Sequence, residues 1–156
     1  MNYYTIVKQL ADKEIQYISE YGYARAGING PYRNEDTAVR NSAHWIITYS
    51  YLYNKTGNHQ YYEIAKILSD FLLKEENYGL SGSIRTRTDV RFDHTNGIIG
   101  QAWVIEGLIA AADLFQSKLY YEKALKLFSI QCFNPRNNLW EVIDCDGTKD
   151  FDLTFN

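Results

Sequence analysis

The segment DHTNGIIGQAW (93–103) decides the predicted fold of this chain. Its carboxylate and histidine lead into Thr95, and the long apolar stretch that follows predicts a helix. The segments EDT (35–37) and DLT (152–154) carry the same pattern, 58 residues before and 59 residues after. This regular spacing predicts a structural repeat in which each copy starts a similar helix.

A second signature has the same period. Each copy begins a stretch with apolar residues three or four positions apart, which predicts an amphipathic outer helix. The copies are YYTIVK (3–8), YYEIAK (61–66) and YYEKAL (120–125), and the predicted outer helices cover 3–21, 58–74 and 119–133. More apolar stretches alternate with them and predict buried inner helices over 37–55 and 95–115. We therefore expect an all-α chain of helical hairpins, with one short β-hairpin over 139–147 near the C-terminus.

Composition limits the compartment and the partners. The formal net charge of −3 and the pI near 5.6 offer no electrostatic reason to expect nucleic acid or a membrane as partner. No secretory leader is visible, and no apolar run approaches the roughly 18 residues that span a membrane. Cys132 and Cys145 form no metal-ligand pattern, which predicts free thiols and neither metal nor cofactor. We expect a soluble cytoplasmic protein.

Two segments resemble a known superfamily. PYRNEDTAVRNSAHW (31–45) and NGIIGQAW (96–103) are similar to segments of bacterial six-hairpin glycosidases, the (α/α)6 toroids. The resemblance implies a ring of helical hairpins, with a carbohydrate cleft formed by the loops that precede the inner helices. It also implies acidic residues there that act as general acid or base, as in unsaturated uronyl hydrolases.

The length of the chain departs from this pattern. Six repeats would need about 350 residues, so residues 1–156 predict a single partial toroid domain with fewer than three hairpins. The sequence stops where a further inner helix would begin, at Thr154. We expect a truncated or split toroid or a fragment, or else self-association through the open edges of the partial ring.

Asp93 and Asp152 are the predicted catalytic residues. They occupy equivalent repeat positions before inner helices, and paired carboxylates divide the acid and base or nucleophile roles of glycoside hydrolysis. The alternative is that each carboxylate only favours the positive end of a helix.

Other residues predict substrate binding. Arg40 and His44 are four residues apart and share one side of the first inner helix, where they bind a uronate or belong to a buried polar network. Trp45 and Trp103 either stack on sugar rings or pack between helices. His94 shuttles protons or forms surface hydrogen bonds. Glu106 faces the lumen or is paired. The remaining predicted contacts come from Asn96 and from the loop arginines Arg85, Arg87 and Arg91.

The favoured function is hydrolysis of a uronic-acid-containing or otherwise modified glycan. Asp93 would act as acid or base with help from Asp152, and the partner would be an oligo- or polysaccharide. A sugar 2-epimerase of the same toroid type would need two histidines in the lumen, but only His44 lies in a predicted inner helix. A non-catalytic glycan-binding or structural remnant is the alternative from another functional class.

Overall fold

The computed structural model describes residues 2–29, 33–89 and 91–151. In these ranges the chain is mostly helical, as predicted. The α-helices are α1 (Tyr3–Tyr21), α2 (Ala38–Thr56), α3 (His59–Leu73), α4 (Gly97–Phe115) and α5 (Lys118–Ile130). The strands are β1 (Ile28–Asn29), β2 (Asn34–Glu35), β3 (Cys132–Asn134), β4 (Leu139–Ile143) and β5 (Lys149–Phe151), and a 3-10 helix covers Glu75–Asn77.

The helices alternate between inner and outer positions. Helices α2 and α4 have 19 residues each and pack against each other. Each is followed by an outer helix, α3 or α5, which packs back onto it. Helix α1 contacts both α2 and α3. The predicted helical-hairpin repeat is therefore confirmed in the described part of the chain.

Local signals set the ends of α2. The Thr37 hydroxyl accepts a hydrogen bond from the Val39 amide at 3.4 Å and caps the start of the helix. Gly57 ends it in the left-handed conformation, with φ of +68°, which a residue without a side chain adopts at little cost. Both ends were predicted from the sequence.

The two inner helices approach each other closely at Gly107. A Cβ atom placed on Gly107 would lie 2.9 Å from the Cα atom of Ala43, so no other side chain fits without moving the backbone. Ala111 of the same helix is also fully buried. On the side of α4 that no described element covers, Glu106 and Ile109 are exposed. The expectation of a helix buried all round is therefore wrong.

Helix α4 bears on the expectation that no apolar segment is long enough to span a membrane. By length and composition alone it is apolar enough to cross a membrane, with mean hydropathy 1.5. The prediction that no segment reaches this length and apolar character is wrong. Helix α4 packs against α2, α3 and α5, and a core helix has the same composition.

The C-terminal part forms a three-stranded antiparallel sheet in the order β3–β4–β5. The predicted hairpin is present as β4 and β5, with a turn closed by the Gly147 amide, which donates to the Asp144 carbonyl at 2.9 Å. The prediction that the third outer helix continues to residue 133 is wrong. Helix α5 ends at Ile130 because Cys132–Asn134 pairs with β4, where the Phe133 and Trp140 ring centroids are 5.3 Å apart.

Candidate functional site

The candidate site lies at the N-terminal ends of α2 and α4. The loop before α4 runs alongside the segment before α2 and is hydrogen-bonded to it. The Thr37 amide donates to the Thr86 carbonyl at 2.9 Å, and the Thr37 hydroxyl donates to the Arg85 carbonyl at 2.8 Å. Asp36 and Arg87 form an isolated antiparallel bridge beside these bonds. Loops from two consecutive repeats are thus joined at one end of the molecule.

A buried glutamine holds this loop against α4. Gln101 is 2% exposed, and its side-chain amide bonds to both backbone polar groups of Ile84 at 2.9 Å. The same amide donates to the Thr95 carbonyl at 3.2 Å. Gln101 was not among the predicted residues. A buried polar side chain in an apolar helix is the signal that would have identified it.

Two ion pairs meet where the loops join. Arg40 donates to Asp36 at 2.9 Å, and Arg87 donates to Asp93 at 2.9 Å. The Nε atoms of both arginines are buried and have no hydrogen-bond partner within the described residues. Burial raises the pKa of the Asp36 carboxyl, while the positive charges of Arg40 and Arg87 act in the opposite direction. The site therefore contains two guanidinium groups held by two carboxylates from different repeats.

Asp93 caps helix α4. One carboxylate oxygen accepts from the Thr95 hydroxyl and from the Gly97 amide, both at 2.7 Å, and the other accepts from Arg87. The predicted helix start at Thr95 is two residues early, because α4 begins at Gly97 and Asn96 occupies the cap position. Asn96 is left-handed, with φ of 56°, and its side chain makes no cap hydrogen bond. The Asp93 side chain keeps 31% of its surface exposed.

Arg40, His44 and Trp103 form an aromatic and cationic cluster between the inner helices, called here the Arg–His–Trp cluster. The Arg40 guanidinium lies 4.7 Å from the Trp103 ring centroid, and the His44 ring lies 5.6 Å from it. All three side chains are partly exposed. Burial, followed by the Arg40 charge, lowers the pKa of His44, and Glu106 opposes this shift. The predicted shared side of Arg40 and His44 is confirmed, and Trp103 joins it from the next repeat.

Two other predicted residues lie elsewhere. Trp45 packs on Tyr49, with ring centroids 5.5 Å apart, and belongs to the edge of the core. His94 pairs through Nδ1 with Asp144 at 3.0 Å and ties the loop to the turn between β4 and β5. Asp152, the second predicted catalytic residue, and Thr154 lie outside the described residues. The structure therefore brings together Arg40, His44 and Trp103, pairs Asp93 with Arg87 instead, and gives Trp45 and His94 structural partners.

The loop arginines divide into different roles. Arg87 joins the ion pairs of the site, whereas Arg91 pairs with Asp89 at 2.6 Å. Arg85 is exposed. In the ranges that the structure covers, no group of three or more histidine, cysteine or acidic side chains is arranged to hold a metal ion.

His44 predicts a pH dependence of stability. Because its pKa is lower in the folded state than the ordinary value of 6.5, the unfolded chain binds more protons just below that value. The contribution of neutral His44 to the free energy of unfolding is therefore fully present above about pH 6.5, and it falls as the pH drops below that value. We expect the melting temperature to fall more between about pH 7.5 and pH 5.5 in the wild type than in His44→Gln. His59→Gln, on the exposed face of α3, is the control and should melt like the wild type. An equal fall in His44→Gln and wild type would contradict the prediction.

The chain is similar to part of a longer archaeal protein. It is 34% identical over 136 residues to the protein of Haloferax volcanii named Archaeal glycosylation protein Q. The match covers 86% of this chain but only 37% of that protein, so the chain spans little more than a third of its relative. No protein-family model and no solved structure matches the chain.

Proposed function

We propose that this chain forms part of a six-hairpin toroid that binds and processes a uronic-acid-containing glycan. The observation that carries the proposal is the Arg–His–Trp cluster, in which Arg40, His44 and Trp103 from two consecutive repeats meet and remain partly exposed. A guanidinium group binds a carboxylate through two parallel hydrogen bonds, and an aromatic ring offers an apolar face to a sugar ring. The similarity to a protein named for glycosylation supports a glycan as the partner.

Exposed apolar faces on the outer helices support the toroid. In a ring of hairpins, the helices at either edge of this part would pack against neighbouring hairpins. Large apolar side chains are exposed on both: Tyr3, Ile6, Val7 and Leu10 on α1, and Leu119, Tyr121, Leu125 and Phe128 on α5. Further hairpins or a second copy of the chain would cover these faces.

The proposed reaction is hydrolysis of a glycosidic bond. The bond between the anomeric carbon and the glycosidic oxygen breaks, water adds a hydroxyl group to the carbon, and a proton passes to the leaving oxygen. Asp93 is the proposed proton-transfer group, because it is a partly exposed carboxylate that is linked to Arg40 through Arg87 and Asp36. Asp36 is nearly inaccessible and orients Arg40 instead.

The test compares Asp93→Asn with Asp89→Asn, which removes an aspartate–arginine pair from the same loop. The probe is 4-nitrophenyl glucuronide. Asp93→Asn should lower turnover by about 100-fold or more and change binding little, because asparagine keeps an oxygen for Thr95 and Gly97 but cannot exchange the proton. Asp89→Asn should retain wild-type turnover. Unchanged turnover in Asp93→Asn would remove Asp93 from the reaction.

One observation favours a non-catalytic glycan-binding protein as the second candidate. Within the described residues, the donors to Asp93 come from the start of α4 and from its ion pair with Arg87, which is a structural use of this carboxylate. Glucuronide binding without turnover in the wild type would support this candidate. The 2-epimerase has less support, since His59 lies on α3 and His94 pairs with Asp144.

A further inference from the structure

A groove of about 450 Å³ adjoins the Arg–His–Trp cluster. Trp103 belongs to both, so a molecule bound in the groove lies beside one bound at Arg40. The groove is lined by Ile98, Ile99, Ala102, Trp103, Glu106 and Trp140. It is apolar apart from one carboxylate, and its volume lies within the range of small-ligand sites.

Glu106 gives this groove a negative charge. Its side chain is exposed and forms no hydrogen bond or ion pair within the part of the chain that the structure describes. Glu106 lines the same groove as Trp103, so it lies close to the Arg–His–Trp cluster, and its charge acts to raise the pKa of His44. Arg40 therefore presents a cation beside Trp103, next to the groove in which Glu106 presents an anion.

The opposite charges of Arg40 and Glu106 favour different chemical groups of a bound glycan. A carboxylate is attracted to a guanidinium group but repelled by a second carboxylate. A hydroxyl group, in contrast, donates a hydrogen bond to a carboxylate. The apolar lining accommodates the carbon-bound hydrogens of a sugar ring without offering a cation to balance a second uronate.

We propose that Glu106 determines specificity by admitting a neutral sugar, and excluding a second uronate, next to the uronate bound by Arg40. The substrate would then be a glycan in which a uronic acid is linked to a neutral sugar, rather than a polyuronate. This inference rests on the proposed function, since it takes Arg40 as the uronate-binding residue. It assigns to Glu106 a repulsive part in recognition, which a purely structural glutamate would not have.

The experiment measures the binding of three probes by calorimetry: glucuronic acid, a glucuronosyl-glucose disaccharide and diglucuronic acid. The wild type should bind the glucose-containing disaccharide at least about fivefold more tightly than diglucuronic acid. Glu106→Gln should tighten the binding of diglucuronic acid by a similar factor and leave the affinity for glucuronic acid unchanged. Glu122→Gln makes the same charge change on the exposed outer surface of α5 and should leave the preference intact. Added salt should reduce the wild-type preference, because it screens exposed charges.

The outcomes separate this inference from the proposed function. Arg40→Lys keeps a cation for Asp36 but loses the planar guanidinium group that forms two parallel hydrogen bonds. It should therefore weaken the binding of all three probes. If glucuronic acid does not bind, or if Arg40→Lys leaves its affinity unchanged, the proposed function fails and this inference fails with it. If glucuronic acid binds through Arg40 but diglucuronic acid binds as tightly as the neutral disaccharide, only the role of Glu106 is overturned. The same holds if Glu106→Gln and Glu122→Gln behave alike.

Discussion

Replacing Gln101 with leucine is expected to lower the free energy of unfolding by about 3 kcal/mol. Leucine is close in size, so the cost comes from hydrogen bonds and not from a cavity. The Gln101 side chain makes three bonds, two to Ile84 and one to Thr95, in a fully buried position. The substitution leaves these backbone groups buried without a partner, at about 1 kcal/mol or more each.

The measurement is urea denaturation followed by circular dichroism, with Gln60→Leu on the exposed start of α3 as the control. The control makes the same chemical change at an exposed position, where water hydrogen-bonds the groups around it. Its free energy of unfolding should therefore stay within about 0.5 kcal/mol of the wild type. Gln101→Leu should also weaken glucuronide binding, because the loop that it anchors carries Arg87 and Asp93. If the two substitutions cost the same, the glutamine does not hold the loop.

Replacing Gly107 with alanine is expected to lower the free energy of unfolding by about 2 kcal/mol. This change is opposite in sign to the usual one, since replacing glycine with alanine in a helix interior usually raises the free energy of unfolding by about 1 kcal/mol. The new Cβ atom would lie 2.9 Å from both Cα and Cβ of Ala43 and 3.0 Å from its carbonyl oxygen. Because backbone atoms form most of this contact, α2 and α4 must separate.

Separation of these helices should also disturb the Arg–His–Trp cluster, whose members belong to both of them. The same denaturation experiment measures the stability, and Asp113→Ala on the exposed side of α4 is the control. The control should change the unfolding free energy by no more than about 0.5 kcal/mol. A Gly107→Ala variant as stable as the wild type would show that the inner helices do not meet closely at this point.

Elements that depend on neighbours in the chain could be predicted from the sequence. The Thr37 and Gly57 signals sit within one turn of the helix ends that they set. The shared side of Arg40 and His44 follows from helix geometry, because residues four apart lie one turn apart.

Elements that depend on distant partners could not be predicted in this way. Helix α5 ends early because Cys132–Asn134 has a strand partner in β4. Trp45 and Trp103 occupy equivalent repeat positions, yet Trp45 packs on Tyr49 and Trp103 lies beside Arg40. Equivalent positions in two repeats have different neighbours in space, so residues at these positions can have different roles.

The sequence by itself determined the helical repeat, the alternation of inner and outer helices and most helix ends, since these follow from apolar periodicity and local capping. Only the tertiary structure decided that Asp93 caps α4 while pairing with Arg87, and that Asp36 shares the same corner. It also decided that α2 and α4 approach each other closely at Gly107 and that Gln101 anchors the loop. The physical reason is that a hydrogen bond or a van der Waals contact depends on distance in space. The segments 78–89 and 91–96, whose path sets the contacts of Asp93 and Gln101, carry no periodic signal in the sequence.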